Sequence, residues 1–127
     1  LQVPCLRTMQ TGLACGEAAH VAWQVLRAGV DDFVAIGDEC VAPCMSLLAA
    51  GDDATETPAV VAGASAVAGL GVLLASSSDP VLRESLALGP DSRVAFVACE
   101  GAVEPHLYET LVGVHPDDLV TKMGAVG

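Results

Sequence analysis

The stretch Ala59-Val60-Val61-Ala62-Gly63-Ala64-Ser65-Ala66-Val67-Ala68-Gly69-Leu70-Gly71-Val72-Leu73-Leu74 decides how this chain is read. Small or β-branched apolar residues run up to Gly63, and small residues then recur three to four apart. That pattern predicts a buried strand, a tight turn and a helix. Ser65, Gly69 and Val72 fall on one face of the helix and leave it nearly bare, so a neighbouring backbone or a flat ligand can approach closely. From Pro58 to Ala75 no residue is charged, and the run is about long enough to span a membrane. Its flanks, Asp52, Asp53, Glu56 and Asp79, are acids rather than the Lys and Arg that anchor a span, and Ala and Gly contribute little transfer energy. The central helix of a layered α/β domain is therefore the expectation.

Outward from this stretch the chain alternates helical and extended patterns. Upstream, the glycine-flanked run Gly12-Leu13-Ala14-Cys15-Gly16 reads as a loop. Glu17 then opens a helix through Arg27 with Val21, Val25 and Leu26 as its buried face and Gly29 as its stop. Glu17 and His20 read as a solvated first-turn pair. Phe33-Val34-Ala35-Ile36 has the continuous apolar character of a strand in a parallel sheet. Asp38 is the predicted N-cap of a helix from Glu39 to Ala50, ended by Gly51, with Pro43 kinking it or delaying its start. Residues 51–58 form a polar surface loop. Downstream, Ser76-Ser77-Ser78-Asp79-Pro80 combines a loop, an N-cap and a first-turn proline, with Val81, Leu82 and Leu86 turned inward. Arg93 to Cys99 is the clearest strand, Glu100-Gly101 turns the chain, and a helix begins at Glu104-Pro105 and stops at Gly113. The order implies an open three-layer α/β domain with a parallel sheet over residues 1–113, followed by a patternless tail over 114–127 that can be disordered. Ligands bind beyond the carboxyl ends of strands in such sheets, which brings Gly63-Ala64-Ser65 and Cys99-Glu100-Gly101 into one neighbourhood.

The 127 residues suit one core, and 53% of them are hydrophobic but only 3% aromatic, so that core is built from Val, Leu and Ala. A formal charge of −11 argues against nucleic acid and anionic membrane as partners. The five cysteines, Cys5, Cys15, Cys40, Cys44 and Cys99, fit reduced thiols, and no metal site is completed around Cys40 and Cys44. No signal segment opens the chain, so the expected compartment is the cytoplasm. Leu1 is not an initiator methionine, and the pattern begins in mid-course, as in a piece of something longer.

Several pieces together resemble the C-terminal third of fold-type II pyridoxal-phosphate enzymes, the tryptophan synthase β-like superfamily. Within it they are most similar to the ammonia-lyases acting on 2,3-diaminopropionate. The pieces are Thr8 to Glu17 with its Gly-Leu-Ala-Cys-Gly-Glu run, Ala22 to Arg27, Phe33 to Ile36 with Asp38-Glu39, Val60 to Ser65 running into Leu70, and Arg93 to Gly101. The resemblance implies an α,β-elimination to pyruvate and ammonia, with pyridoxal 5′-phosphate as the electron sink. It also implies a small amino-acid substrate, a homodimer, and the remaining N-terminal part of the enzyme as the chain's complement. In that frame Cys99 matches the residue facing the pyridine nitrogen, where a thiol donates only weakly. Gly63, Ser65, Glu100 and Gly101 line the cofactor, and Gly12, Leu13, Ala14, Cys15, Gly16 and Glu17 line the substrate end. Ala64 and Ala66 stand where similar enzymes have Glu and Gly. The lysine that anchors the cofactor and the glycine-rich phosphate loop have no counterpart here, because the single lysine, Lys122, lies in the tail. The chain alone is therefore expected to be inactive. Two other readings are a degenerate, non-catalytic α/β interaction domain and a piece of another β-eliminating or β-replacing enzyme, such as a threonine dehydratase or tryptophan synthase β-like protein.

Overall fold

The computed structural model describes residues 7–124; Cys5 and the side chain of Lys122 lie outside the described residues. Six helices carry the fold: α1 (His20–Gly29), α2 (Val41–Ala50), α3 (Ala68–Ser78), α4 (Pro80–Ser85), α5 (Pro105–Val112) and α6 (Pro116–Gly124).

Several helix ends follow the sequence signals. Asp79 accepts bonds from the Val81 and Leu82 N–H groups at 2.9 and 3.1 Å, with Pro80 at the first helical position of α4. Glu104-Pro105 opens α5, and Gly113, at φ 84°, closes it in the left-handed conformation that favours glycine. Pro43 delays α2: a 3₁₀ turn occupies Asp38–Cys40, and the α-helix begins at Val41, so the proline sits in the first turn, where its missing N–H costs nothing. The loop after Gly51 closes through an antiparallel bridge between Asp52 and Thr57.

Other expectations are corrected. Asp38 caps no helix; its carboxylate accepts bonds from the Thr8 hydroxyl, the Met9 N–H (2.8 Å) and the Gln10 side chain (3.3 Å). It fastens the lead-in segment onto α2 and was claimed by a partner 28 to 30 residues away. α3 runs through Ser76-Ser77-Ser78 because each serine hydroxyl bonds back to the carbonyl three residues earlier, which satisfies both groups within the helix. Beyond Gly113 the chain forms α6, with Pro116 and the acids Asp117 and Asp118 in its first turn and Leu119 in the core.

No β-ladder joins the runs 33–36, 60–62 and 93–99 among the described residues. Just beyond the ends of two of them the Gly63 N–H donates to the Glu100 carbonyl at 3.1 Å. A parallel strand needs a neighbour along its length, and none of these runs has one. The same lack leaves apolar faces uncovered. α1 buries no residue, so its Val21, Val25 and Leu26 face solvent, as does Val81 of α4. The core lies instead between α2, the 62–67 turn, α5 and α6, from Val41, Cys44, Met45, Ala49, Ala62, Ala66, Val67, Tyr108 and Leu119. Gly69 of the bare stripe does admit a close neighbour, since a Cβ there would meet the Phe96 ring at 2.9 Å. Gly71 does the same for Cys40 and Ile36. None of the helices among the described residues is long and apolar enough to cross a membrane.

Candidate functional site

The turn after Ala62 is built by small residues that let three segments converge. The Ser65 N–H donates to Glu100 Oε1 at 2.7 Å, the Gly12 N–H donates to Ser65 Oγ at 2.9 Å, and the Gly63 N–H takes the Glu100 carbonyl. Glycine is required at the crossing. A Cβ on Gly63 would lie 2.3 Å from the Gly101 carbonyl oxygen, and one on Gly12 would lie 2.9 Å from Ser65 Oγ. Ser65 is 4% exposed and Glu100 half-buried, so the serine hydroxyl and the Glu100 carboxylate form a part-buried polar junction between the loop at 12, the turn at 63 and the bend at 100.

Thus Gly12, Gly63, Ser65 and Glu100, singled out from sequence in three separate stretches, come together, and Gly101 joins them through its carbonyl. The other predicted residues are not brought to the junction. Cys99 is exposed at the end of the 93–99 run, and Leu13, Ala14, Cys15 and Gly16 continue away from Gly12 as a 3₁₀ turn and loop, with Leu13 and Cys15 exposed. Glu17 follows Gly16 in the stretch that leads into α1. His20 does not stand free: its Nε2 lies 3.0 Å from the Gln24 side chain.

A cavity of about 60 Å³ adjoins the junction, lined by Gly63, Ala64, Glu100, Gly101, Glu104 and Tyr108 among others. Tyr108 was not singled out for function. It is 1% exposed, and its hydroxyl has no hydrogen-bond partner among the described residues. The signal in the sequence was a lone tyrosine on the inward face of a helix, four residues after Glu104. Burial pushes its phenol above the ordinary value, so it stays neutral. Among the described residues no cluster of three or more His, Cys, Asp or Glu side chains is poised to hold a metal.

As a test of fit to a flat cofactor, the junction offers a buried hydroxyl and a glycine turn that a backbone or ring can approach closely. An anchoring amine and a phosphate cradle are not found among its residues.

Comparison with known proteins finds similarity, over an alignment of 110 residues that covers 84% of the chain, to proteins named as ammonia-lyases. The particular relatives are diaminopropionate ammonia-lyase of Escherichia coli strain K12, 34% identical, and that of Salmonella typhimurium strain LT2, 30% identical. The chain is a homologue of part of these proteins and spans 27% of their length. No family model matches it.

Proposed function

We propose that this chain is the C-terminal portion of a pyridoxal-phosphate-dependent ammonia-lyase that eliminates ammonia from 2,3-diaminopropionate, leaving pyruvate. The observation that carries the reading is the convergence of Gly12, Ser65 and Glu100, residues belonging to the stretches that resemble the family. Bound, the cofactor would supply a sink for the electron pair released when the substrate Cα loses its proton. This chain's contribution is positional. Ser65 and the glycines at 63 and 101 would present a close, preformed wall to the ring, and Glu100 holds that wall by its bond to the Ser65 N–H. Cys99 would face the ring nitrogen once the 93–99 run is docked as a strand. The lysine and the phosphate loop would come from the rest of the longer protein, which would also complete the open α/β sheet from the three extended runs. A dimer of that longer protein is the expected assembly, in the cytoplasm.

The exposed faces of α1 and of the 93–99 run support a second reading, a degenerate interaction domain, to which the replacements at Ala64 and Ala66 also lend weight. Expressing the longer reading frame, loading it with pyridoxal phosphate and assaying pyruvate from 2,3-diaminopropionate separates the two. Turnover that depends on Ser65 supports the lyase; a longer protein that binds the cofactor nowhere refutes it.

A further inference from the structure

We propose that the cavity beside the junction binds the ammonium group of a small amine, with Glu100 and Glu104 supplying negative charge and the Tyr108 hydroxyl accepting an N–H bond. This deepens the lyase reading by naming the group recognised, and it rests on that reading only for the source of the amine, a diamino acid or released ammonia.

A buried hydroxyl without a partner forfeits its bonds to water with nothing in return, so Tyr108 marks a place where a bonding group is missing. The charge around the cavity selects that group. Among the described residues two carboxylates line it and no Lys, Arg or His does, which disfavours a carboxylate or phosphate and favours a cationic donor. Glu100 spends Oε1 on the Ser65 N–H, which leaves Oε2 free to accept. Leu107 and Ala102 form apolar walls suited to a methylene next to the nitrogen. At about 60 Å³ the space holds a methylammonium-sized group, given that one water needs roughly 10 to 15 Å³ on the same measure. Gly63, Glu100 and Gly101 line this cavity and also belong to the proposed ring site, whereas Ser65 and Cys99 do not line it, so the cavity overlaps that site at its edge.

The chain has a single tyrosine, so ring signals from tyrosine-labelled protein report this cavity alone. Titration with ammonium chloride and with methylammonium chloride, at fixed ionic strength, is expected to move those signals saturably, while potassium chloride leaves them in place. Glu104→Gln is expected to weaken methylammonium binding about tenfold, and Tyr108→Phe, which removes a hydroxyl that bonds nothing among the described residues, by a similar factor in calorimetry. Equal shifts with potassium, no shift at all, or unchanged affinity in both variants overturns the proposal. The lyase reading is judged separately, by pyruvate release from the longer protein, so either can fail without the other.

Discussion

Gly63→Ala tests whether the junction is a built feature of the fold. The new Cβ would sit 2.3 Å from the Gly101 carbonyl oxygen and 2.9 Å from Glu100 Oε1, whereas real Cβ atoms essentially never approach closer than 3.0 Å. The two backbones must therefore separate by about 0.7 Å, the difference between those limits, because a carbonyl oxygen cannot swing aside as a side-chain tip can. The Gly63 N–H bond to the Glu100 carbonyl, already 3.1 Å long, does not survive such a retreat. Overpacking costs about 1 to 3 kcal/mol and the lost backbone bond about 1 kcal/mol more. The expected loss is thus about 2 to 4 kcal/mol, a large part of the roughly 5 to 15 kcal/mol that holds a domain together. Urea unfolding of the two proteins measures it, with Gly101→Ala as the control, since a Cβ at 101 meets nothing within 4 Å. A Gly63→Ala midpoint within error of the wild type, or equal losses at the two glycines, would refute the crossing of the 63 turn and the 100 bend.

The remaining expectations concern charge, thiols and surface. The Asp38 carboxyl lies below its ordinary 3.8, held there first by the Thr8 hydroxyl and then by the Met9 N–H. The unfolded chain then binds that proton more readily, so the stability from this contact is complete above pH 3.8 and is lost as pH falls through the folded-state value. Asp38→Asn should flatten the pH dependence of the urea midpoint in that acid range, and an unaltered slope counts against the contact. Cys15 and Cys99 are exposed, while Cys44 is buried and its thiol is raised by desolvation. Peptide mapping after brief alkylation should find the first two modified and Cys44 spared; early labelling of Cys44 would contradict the core. Trp23, the only tryptophan, is 46% exposed with its ring 6.1 Å from that of Phe33. Its fluorescence should be readily quenched by acrylamide in this chain and protected in the longer protein proposed above, and equal quenching in both would oppose docking through α1.

Local signals were legible where the residue itself determines the backbone. Pro80 and Pro105 start helices, and Asp79 and Gly113 cap them, because ring closure, a short carboxylate and a missing Cβ act within one turn. What stayed illegible depended on distant partners. Asp38 has every property of an N-cap, yet its carboxylate is taken by Thr8 and Met9. The serines at 76 to 78 look like a loop, but their hydroxyls find acceptors inside α3. α6 is illegible because its first turn is polar, with Asp117 and Asp118, and Leu119 is the apolar residue it sets in the core among the described side chains. Of the site, glycine spacing points to Gly63 and to the bend at 100, whereas the lone Tyr108 on an inward helix face signals only burial, because nothing in the sequence says whether a buried hydroxyl finds a partner.

The uncovered apolar runs and the missing sheet have one cause. Val21 is 76% exposed, Phe33 66% and Val97 88%, and burying such a side chain is worth about 1.5 to 3 kcal/mol. Together with the other exposed residues of α1 and the 93–97 run, roughly 10 kcal/mol of burial is unrealised, comparable with a whole domain's stability. Ile36 and Phe96 pack against the glycines of α3, but runs whose backbone has no neighbouring ladder and whose other face is uncovered have little to fix their register, in keeping with the absence of a ladder at 33–36 and 93–99. The junction at Gly12, Ser65 and Glu100 needs none of that burial. It is fastened by short polar bonds and glycine contacts against the α2–α5 core, so it is set before any sheet is completed. A covering polypeptide would therefore meet a preformed wall and add stability chiefly through the strands, and mutations at the wall and on the uncovered faces should act independently.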